Sequence, residues 1–199
     1  AEDTRTTAHV VTSWLDHNSV LRPLNALIQM WPERISQSRV QPDTESGRLD
    51  PEDIRRAILS RADTKLVAIN HVSNVTGMVQ PIEAIGHVCA ELGVPLLVDG
   101  AQSLGHVPLD VRSMHIDLLA FPGHKGLLGP TGTGGLYIRP ELEKRIAPLR
   151  EGGTGSRSED DIQPLMMPDK YEPGSQNAIG IIGLAEGVRF LMEYEHGGL

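Results

Sequence analysis

Apolar residues in this chain alternate between short unbroken runs and longer stretches in which they recur every three or four positions. The runs at residues 9–13 (HVVTS), 65–70 (KLVAIN), 95–98 (PLLV), 116–121 (IDLLAF) and 135–138 (GLYI) are short and mostly aliphatic or β-branched, which predicts buried strands. A less apolar run at residues 34–40 predicts one more. Helical spacing appears over about residues 19–30 and over 81–92, where Ile82, Ile85, Val88, Cys89 and Leu92 share a face between Pro81 and Gly93. Asp50, followed by Pro51 and Asp53, has the chemistry of a helix N-cap and first turn. A proline-led helix is predicted over 139–147, and a final helix over about 177–194. Between those two, residues 151–175 (EGGTGSRSEDDIQPLMMPDKYEPGS) follow neither period and read as a loop, long enough to be functional or mobile.

Strands alternating with helices at this spacing imply βαβ units, a mostly parallel sheet and an α/β domain. No repeat or low-complexity tract interrupts the pattern. At 199 residues the chain can bury one sizeable core. No apolar run approaches the length of a membrane span, and the opening AEDTRTTAHV is too polar for a signal peptide. The single cysteine, Cys89, excludes an internal disulfide and suits a reducing compartment, so the expected location is cytoplasmic. A formal charge of −8 argues against nucleic acid or an anionic membrane as the main partner, while leaving room for a small anion at a local site.

Three segments carry candidate chemistry. VDGAQ (98–102) places Asp99 at the end of an apolar strand, the edge of an open α/β sheet where ligands sit. An aspartate there either caps a turn or meets a cation, because burying it alone is costly. FPGHKGLLGPTGTGG (121–135) sets Lys125 among glycines and apolar residues, where an amine shielded from water is a usable nucleophile and the backbone can approach a ligand closely. The order is wrong for a nucleotide P-loop, whose lysine follows its glycines. NHVSNVTG (70–77) is a third strand end, leading into a polar turn with Asn74. Asp99 and Lys125 stand 26 residues apart, at the ends of what should be neighbouring elements.

Together HNSVLRPL, NHVSNVTG, VDGAQSLGHVPLDV, FPGHKGLLGPTGTGGLYI and YEPGSQN resemble the class V aminotransferase-fold pyridoxal-phosphate enzymes, within them the cysteine desulfurase and selenocysteine lyase group, from about His9 to Phe190. The resemblance implies a fold type I large domain, a mostly parallel sheet with helices on both faces in three layers. It implies that Lys125 holds pyridoxal 5′-phosphate as a Schiff base and that Asp99 faces the pyridine nitrogen. Gln102 would donate to the phenolic oxygen, His17 would stack on the ring, and Asn74 would lie near the phenolic oxygen and substrate carboxylate. His124 would contact the phosphate. Ser175, usually Thr in the family, would reach the phosphate in a neighbouring subunit, so a homodimer with shared active sites is implied. His71 has no assigned role. SUF-type members commonly carry Ser at the position of Pro122, and that phosphate contact is lost here.

The same resemblance implies that residues 1–199 are a large domain incomplete at both ends. A Gly-Thr-Thr phosphate turn would lie upstream of Ala1, and residues 176–199 would lead towards a missing small domain carrying a substrate-binding arginine and a persulfide-forming cysteine. Cys89, at an apolar helix position, reads as a buried structural thiol. Arg157 reads as a solvated loop residue or a carboxylate clamp, and Glu159–Asp160–Asp161 as a solvated acidic turn. The other histidines show no metal-ligand spacing, and no metal is expected. The implied activity is removal of sulfur from L-cysteine to give L-alanine, with a sulfur-acceptor protein as partner. A class V aminotransferase acting on a small amino acid or keto acid is the alternative enzyme, and a non-catalytic fragment or binding module is the alternative of a different class.

Overall fold

The structure, a computed structural model, describes residues 6–197. The expectations for residues 1–5 and for the terminal Gly198 and Leu199 lie outside the described residues. The elements are β1 (Ala8–Ser13), α1 (Asn18–Met30), β2 (Ile35–Val40), α2 (Pro51–Leu59), β3 (Thr64–Asn70), α3 (Ile82–Leu92), β4 (Leu96–Asp99), β5 (Leu118–Pro122), β6 (Gly134–Ile138) and α4 (Ala178–Gly197). They build a six-stranded sheet in the order β2-β1-β3-β4-β5-β6, parallel except for β6, which runs antiparallel to β5.

Local chemistry sets the helix ends. The Asp50 side chain accepts the Glu52 N–H at 2.8 Å, Pro51 opens α2, and Glu52 and Asp53 complement the positive end of its dipole. Gly93 closes α3 in the left-handed conformation (φ 67°), which costs glycine little.

The period of two along the strands then sorts side chains between two faces. Val11, Val67, Ile69, Leu96, Val98 and Leu119 join Ile54 and Ile58 of α2 and Ile82, Ile85, Val88 and Cys89 of α3 in one buried core. Their neighbours Val10, Leu66, Ala68, Leu97 and Ala120 face the other way and floor a cleft that Val20, Leu24 and Leu27 of α1 wall on one side. Helices therefore cover both faces, giving the three-layer α/β architecture expected.

One expected element is absent. Residues 139–147 form no α-helix, only a 3₁₀ turn at Leu142–Arg145. Arg139 is held extended by its N–H to the Asp117 carbonyl (2.8 Å) and by its guanidinium to the Asp117 carboxylate, and Glu141 is left-handed (φ 74°). Pro140 starts a turn directly after β6, and the chain continues only as the short 3₁₀ turn.

Residues 151–175 contain neither helix nor strand. Their tail is nonetheless anchored: buried Lys170 donates to the Glu143 carbonyl, and the Tyr171 hydroxyl donates to the carbonyls of Glu143 (3.0 Å) and Ile146 (2.9 Å).

Candidate active site at the carboxyl ends of the strands

Parallel strands bring Ser13, Asn70, Asp99 and Pro122 to one edge of the sheet, each the last residue of its strand. The cleft of about 880 Å³ opens there. Its lining includes His17, Asn74, Asp99, Gln102, His124 and Lys125, drawn from four separate segments. Ser175 does not line this cleft and is solvent-exposed.

Asp99 lies opposite Asn70 and Ala120 in the ladder, and its backbone carbonyl accepts the His71 N–H at 3.0 Å. Its Oδ1 accepts the Ala101 N–H at 2.9 Å, so the capping reading is correct as far as one oxygen goes. That bond locks the carboxyl rotamer and leaves Oδ2 available to a cation in the cleft.

Lys125, half-buried, is held by the glycines on either side of it. A β-carbon at Gly126 would stand 2.2 Å from the Leu104 carbonyl oxygen, and one at Gly105 would stand 2.2 Å from the Gly126 carbonyl oxygen. A β-carbon at Gly123 would stand 2.3 Å from Thr133 Oγ1 and 3.1 Å from Leu184 of α4. The GHKG loop is thus clamped backbone to backbone against the turn after β4, and against Thr133 and α4 on the other side. The glycines serve tight packing more than flexibility. α4 meets the same loop through glycines, since a β-carbon at Gly183 would meet Pro130 at 2.7 Å and one at Gly187 the Leu127 carbonyl at 2.4 Å. The spacing of Gly180, Gly183 and Gly187 was the readable sign of this close face, and the sequence reading passed over it.

His17 is exposed at the cleft wall and is the N-cap of α1, its Nδ1 accepting the Ser19 N–H at 3.2 Å. The cap fixes the ring's orientation and, in the neutral ring, leaves the proton on Nε2. Asn74 sits in a turn pinned by Ser73, whose Oγ accepts the N–H groups of Val75 (3.2 Å) and Thr76 (3.3 Å).

Two residues here were not singled out from the sequence. Asp16 is buried between the ends of β1 and β3, where its Oδ2 accepts the Ser13 N–H at 2.5 Å and its Oδ1 the Asn70 N–H at 2.7 Å. Burial, with a smaller contribution from the charge of Asp99, pushes its carboxyl up to about 6 against the pull of those donors. Asn70 lines the cleft, is buried, and donates from Nδ2 to the Leu15 carbonyl at 2.9 Å, while its Oδ1 has no partner. The neighbouring His71 is buried with Nδ1 unpaired, and desolvation holds its imidazole below the usual range. The only local signal for Asp16 was its place beside His17, which no spacing rule marks.

Other expected features lie elsewhere. Cys89 is fully buried in the core of α3, and burial pushes its thiol up to about 12, as an unreactive structural cysteine should be. Arg157 is exposed and faces Asp160 of its own loop at 3.9 Å. Among the described residues no group of three His, Cys, Asp or Glu is placed to hold a metal, and no helix is long and apolar enough to cross a membrane.

The family model for aminotransferase class V matches residues 1–197. The chain belongs to that family. A protein from Methanothermobacter thermautotrophicus named probable cysteine desulfurase is 39% identical over 184 residues, which cover 92% of this chain and 44% of that one. Cysteine desulfurase IscS of Anaeromyxobacter dehalogenans is 34% identical over 89% of this chain and 39% of its own. Among solved structures, the apo cysteine desulfurase of Thermococcus onnurineus superposes with a TM-score of 0.80 at 35% identity, covering 95% of this chain and 46% of that one. A protein named SspA, solved in complex with cysteine, gives 0.78 at 32% identity, over 92% of this chain and 47% of that one. This class V chain therefore sits within the cysteine desulfurase group of pyridoxal-phosphate enzymes, and it spans less than half the length of these relatives.

Proposed function

We propose that this chain is the cofactor-holding large domain of a cysteine desulfurase-like enzyme in which Lys125 carries pyridoxal 5′-phosphate as a Schiff base. The supporting observation is the convergence of Lys125, Asp99, Gln102, Asn74, His124 and His17 on one cleft. The donor set fits the group: a primary amine for an aldehyde, a carboxylate with one free oxygen for a ring cation, and amides and imidazoles for phenolic and phosphate oxygens. When bound, the cofactor supplies an electron sink for the charge released at the substrate Cα.

The chain's own residues do the rest. Asp99 keeps a proton on the ring nitrogen, and Gln102 and Asn74 donate to the phenolic oxygen, Asn74 also reaching the substrate carboxylate. His17 stacks on the ring. His124 donates to the phosphate where Pro122, lacking an N–H, adds nothing. Lys125, with its amine free, would move the substrate Cα proton as a general base and acid. Ser175 completes the phosphate site of a second subunit, so the protein is a homodimer with shared sites. Residues 176–199 lead towards a small domain.

The substrate is L-cysteine. Its sulfur passes to a cysteine outside this chain and then to an acceptor protein, and L-alanine leaves. The relatives' names and the cysteine-bound structure support this choice over transamination.

The test uses the complete protein. With pyridoxal phosphate it should turn yellow and be fixed by borohydride, and Lys125→Ala should lose the covalent adduct and at least about 10³-fold of activity. Alanine and sulfide formed from cysteine support the desulfurase reading. A keto acid in their place establishes transamination, and wild-type protein that never turns yellow refutes the cofactor assignment.

A further inference from the structure

Asp16 is a buried carboxylate at a place where a neutral side chain would serve the fold poorly. Ser13 and Asn70 both present N–H groups to it, at 2.5 and 2.7 Å. An asparagine could accept only one of these and would set its own NH2 against the other. Asp16 also closes a clamp, because Asn70 returns a bond to the Leu15 carbonyl at 2.9 Å. The turn after β1 is therefore stitched to the last residue of β3 by bonds in both directions.

The ends of this stitch lie at two functional groups. His17 follows Asp16 directly and is oriented by its cap on Ser19. Asn70 is in register with Asp99, and the next residue, His71, donates its N–H to the Asp99 carbonyl. Asp16 thus joins the turn carrying the imidazole at the cleft wall to the end of β3, the strand paired with the one that ends in Asp99. It also places a second negative charge close enough to Asp99 for the two to act on each other.

We propose that Asp16 is a positioning residue for the cofactor. It fixes His17 relative to Asp99 and adds its charge to that of Asp99, so that the cleft holds a protonated ring more tightly than Asp99 would alone. The proposal rests on the pyridoxal-phosphate reading of the cleft. It gives Asp16 no contact with the reacting atoms. The charged group that acts on it is Asp99 on β4, so loss of the Asp16 charge should register at a cation held by Asp99.

The experiment compares complete wild-type protein with Asp16→Asn, Asp16→Glu and Asn70→Ala, measuring the dissociation constant for pyridoxal phosphate and the pH at which the absorption of bound cofactor changes. A wild type that binds while its variants do not separates this proposal from failure of the cofactor assignment itself. Asp16→Asn should weaken binding about tenfold or more and move the absorption transition to lower pH by about half a unit, as loss of a nearby anion requires. Asp16→Glu, which keeps the charge, should restore the transition even where affinity stays reduced. Asn70→Ala removes the Leu15 tie while keeping the Asp16 charge, and should weaken binding a few-fold with the transition unmoved. If Asp16→Asn does not fold, the other two variants decide the matter: wild-type affinity in both overturns the proposal. It is equally overturned if folded Asp16→Asn binds cofactor with wild-type affinity and pH profile, since a purely structural residue would change only the melting temperature.

Discussion

A carboxylate buried between two strand ends makes stability depend on pH in a direction opposite to that of most acidic residues. The Asp16 carboxyl stands at about 6 in the folded protein, against about 3.9 in an unfolded chain, with burial the main cause. Between those values the folded state binds the extra proton, so stability is full below about pH 4 and falls as the pH rises through 6. The fall attributable to this residue is about 3 kcal/mol. Denaturant titrations of apo-protein at pH 4 and pH 7 should show wild type losing that much relative to Asp16→Asn. A difference that stays constant with pH would remove Asp16 from the titration. At the same scale His17 caps α1, as its local sequence suggested, and the same bond orients its ring at the wall of the cleft. Cys89 shows the reverse: its helical position already marked it as core, and its burial agrees.

Among the elements, the loop after β5 carries the chemistry and the turn after β4 holds it. Gly126 against Leu104 leaves no space for a methyl group, because the obstacle is a backbone carbonyl at 2.2 Å and not a movable side chain. Gly126→Ala should therefore cost about 1–3 kcal/mol in thermal or denaturant unfolding and also reduce cofactor affinity, because the clash lies next to Lys125. Unchanged affinity in a destabilised variant would show that Lys125 does not depend on this clamp. The strands were legible from their aliphatic runs, and α2 and α3 from caps and periodicity. The supposed helix over 139–147 did not form: its first residue, Arg139, is tied to Asp117, 22 residues away in sequence. Local propensity cannot anticipate a partner at that distance.

For the whole molecule, the arrangement separates a dry face from a reactive one. The core side of the sheet packs on α2 and α3, while the other side floors the cleft. Ser175 lies outside the cleft its own chain forms, on an exposed stretch before α4. In the proposed homodimer, Ser175→Ala should weaken cofactor retention several-fold. Heterodimers of Ser175→Ala with Lys125→Ala should show which subunit Ser175 serves. Their one intact Lys125 is in the Ser175→Ala subunit, and its phosphate site is completed by the intact Ser175 of the other, so that site should bind with near wild-type affinity. Weakened binding there would place Ser175 in service of its own subunit and refute the shared site.

By itself the sequence determined the α/β class, most of the strands and helices, and the family, because short aliphatic runs, caps and an ordered set of motifs are properties of neighbouring residues. It also named six of the residues that line the cleft, through motifs each a few residues long. Tertiary structure decided what those motifs could not contain. Asp16 and Asn70 matter because two parallel strands end side by side, and Gly126 matters because a distant carbonyl touches it. Lys125 and His17 line one cleft for the same reason: hydrogen-bonded register, which joins residues far apart in the chain, sets where each strand ends.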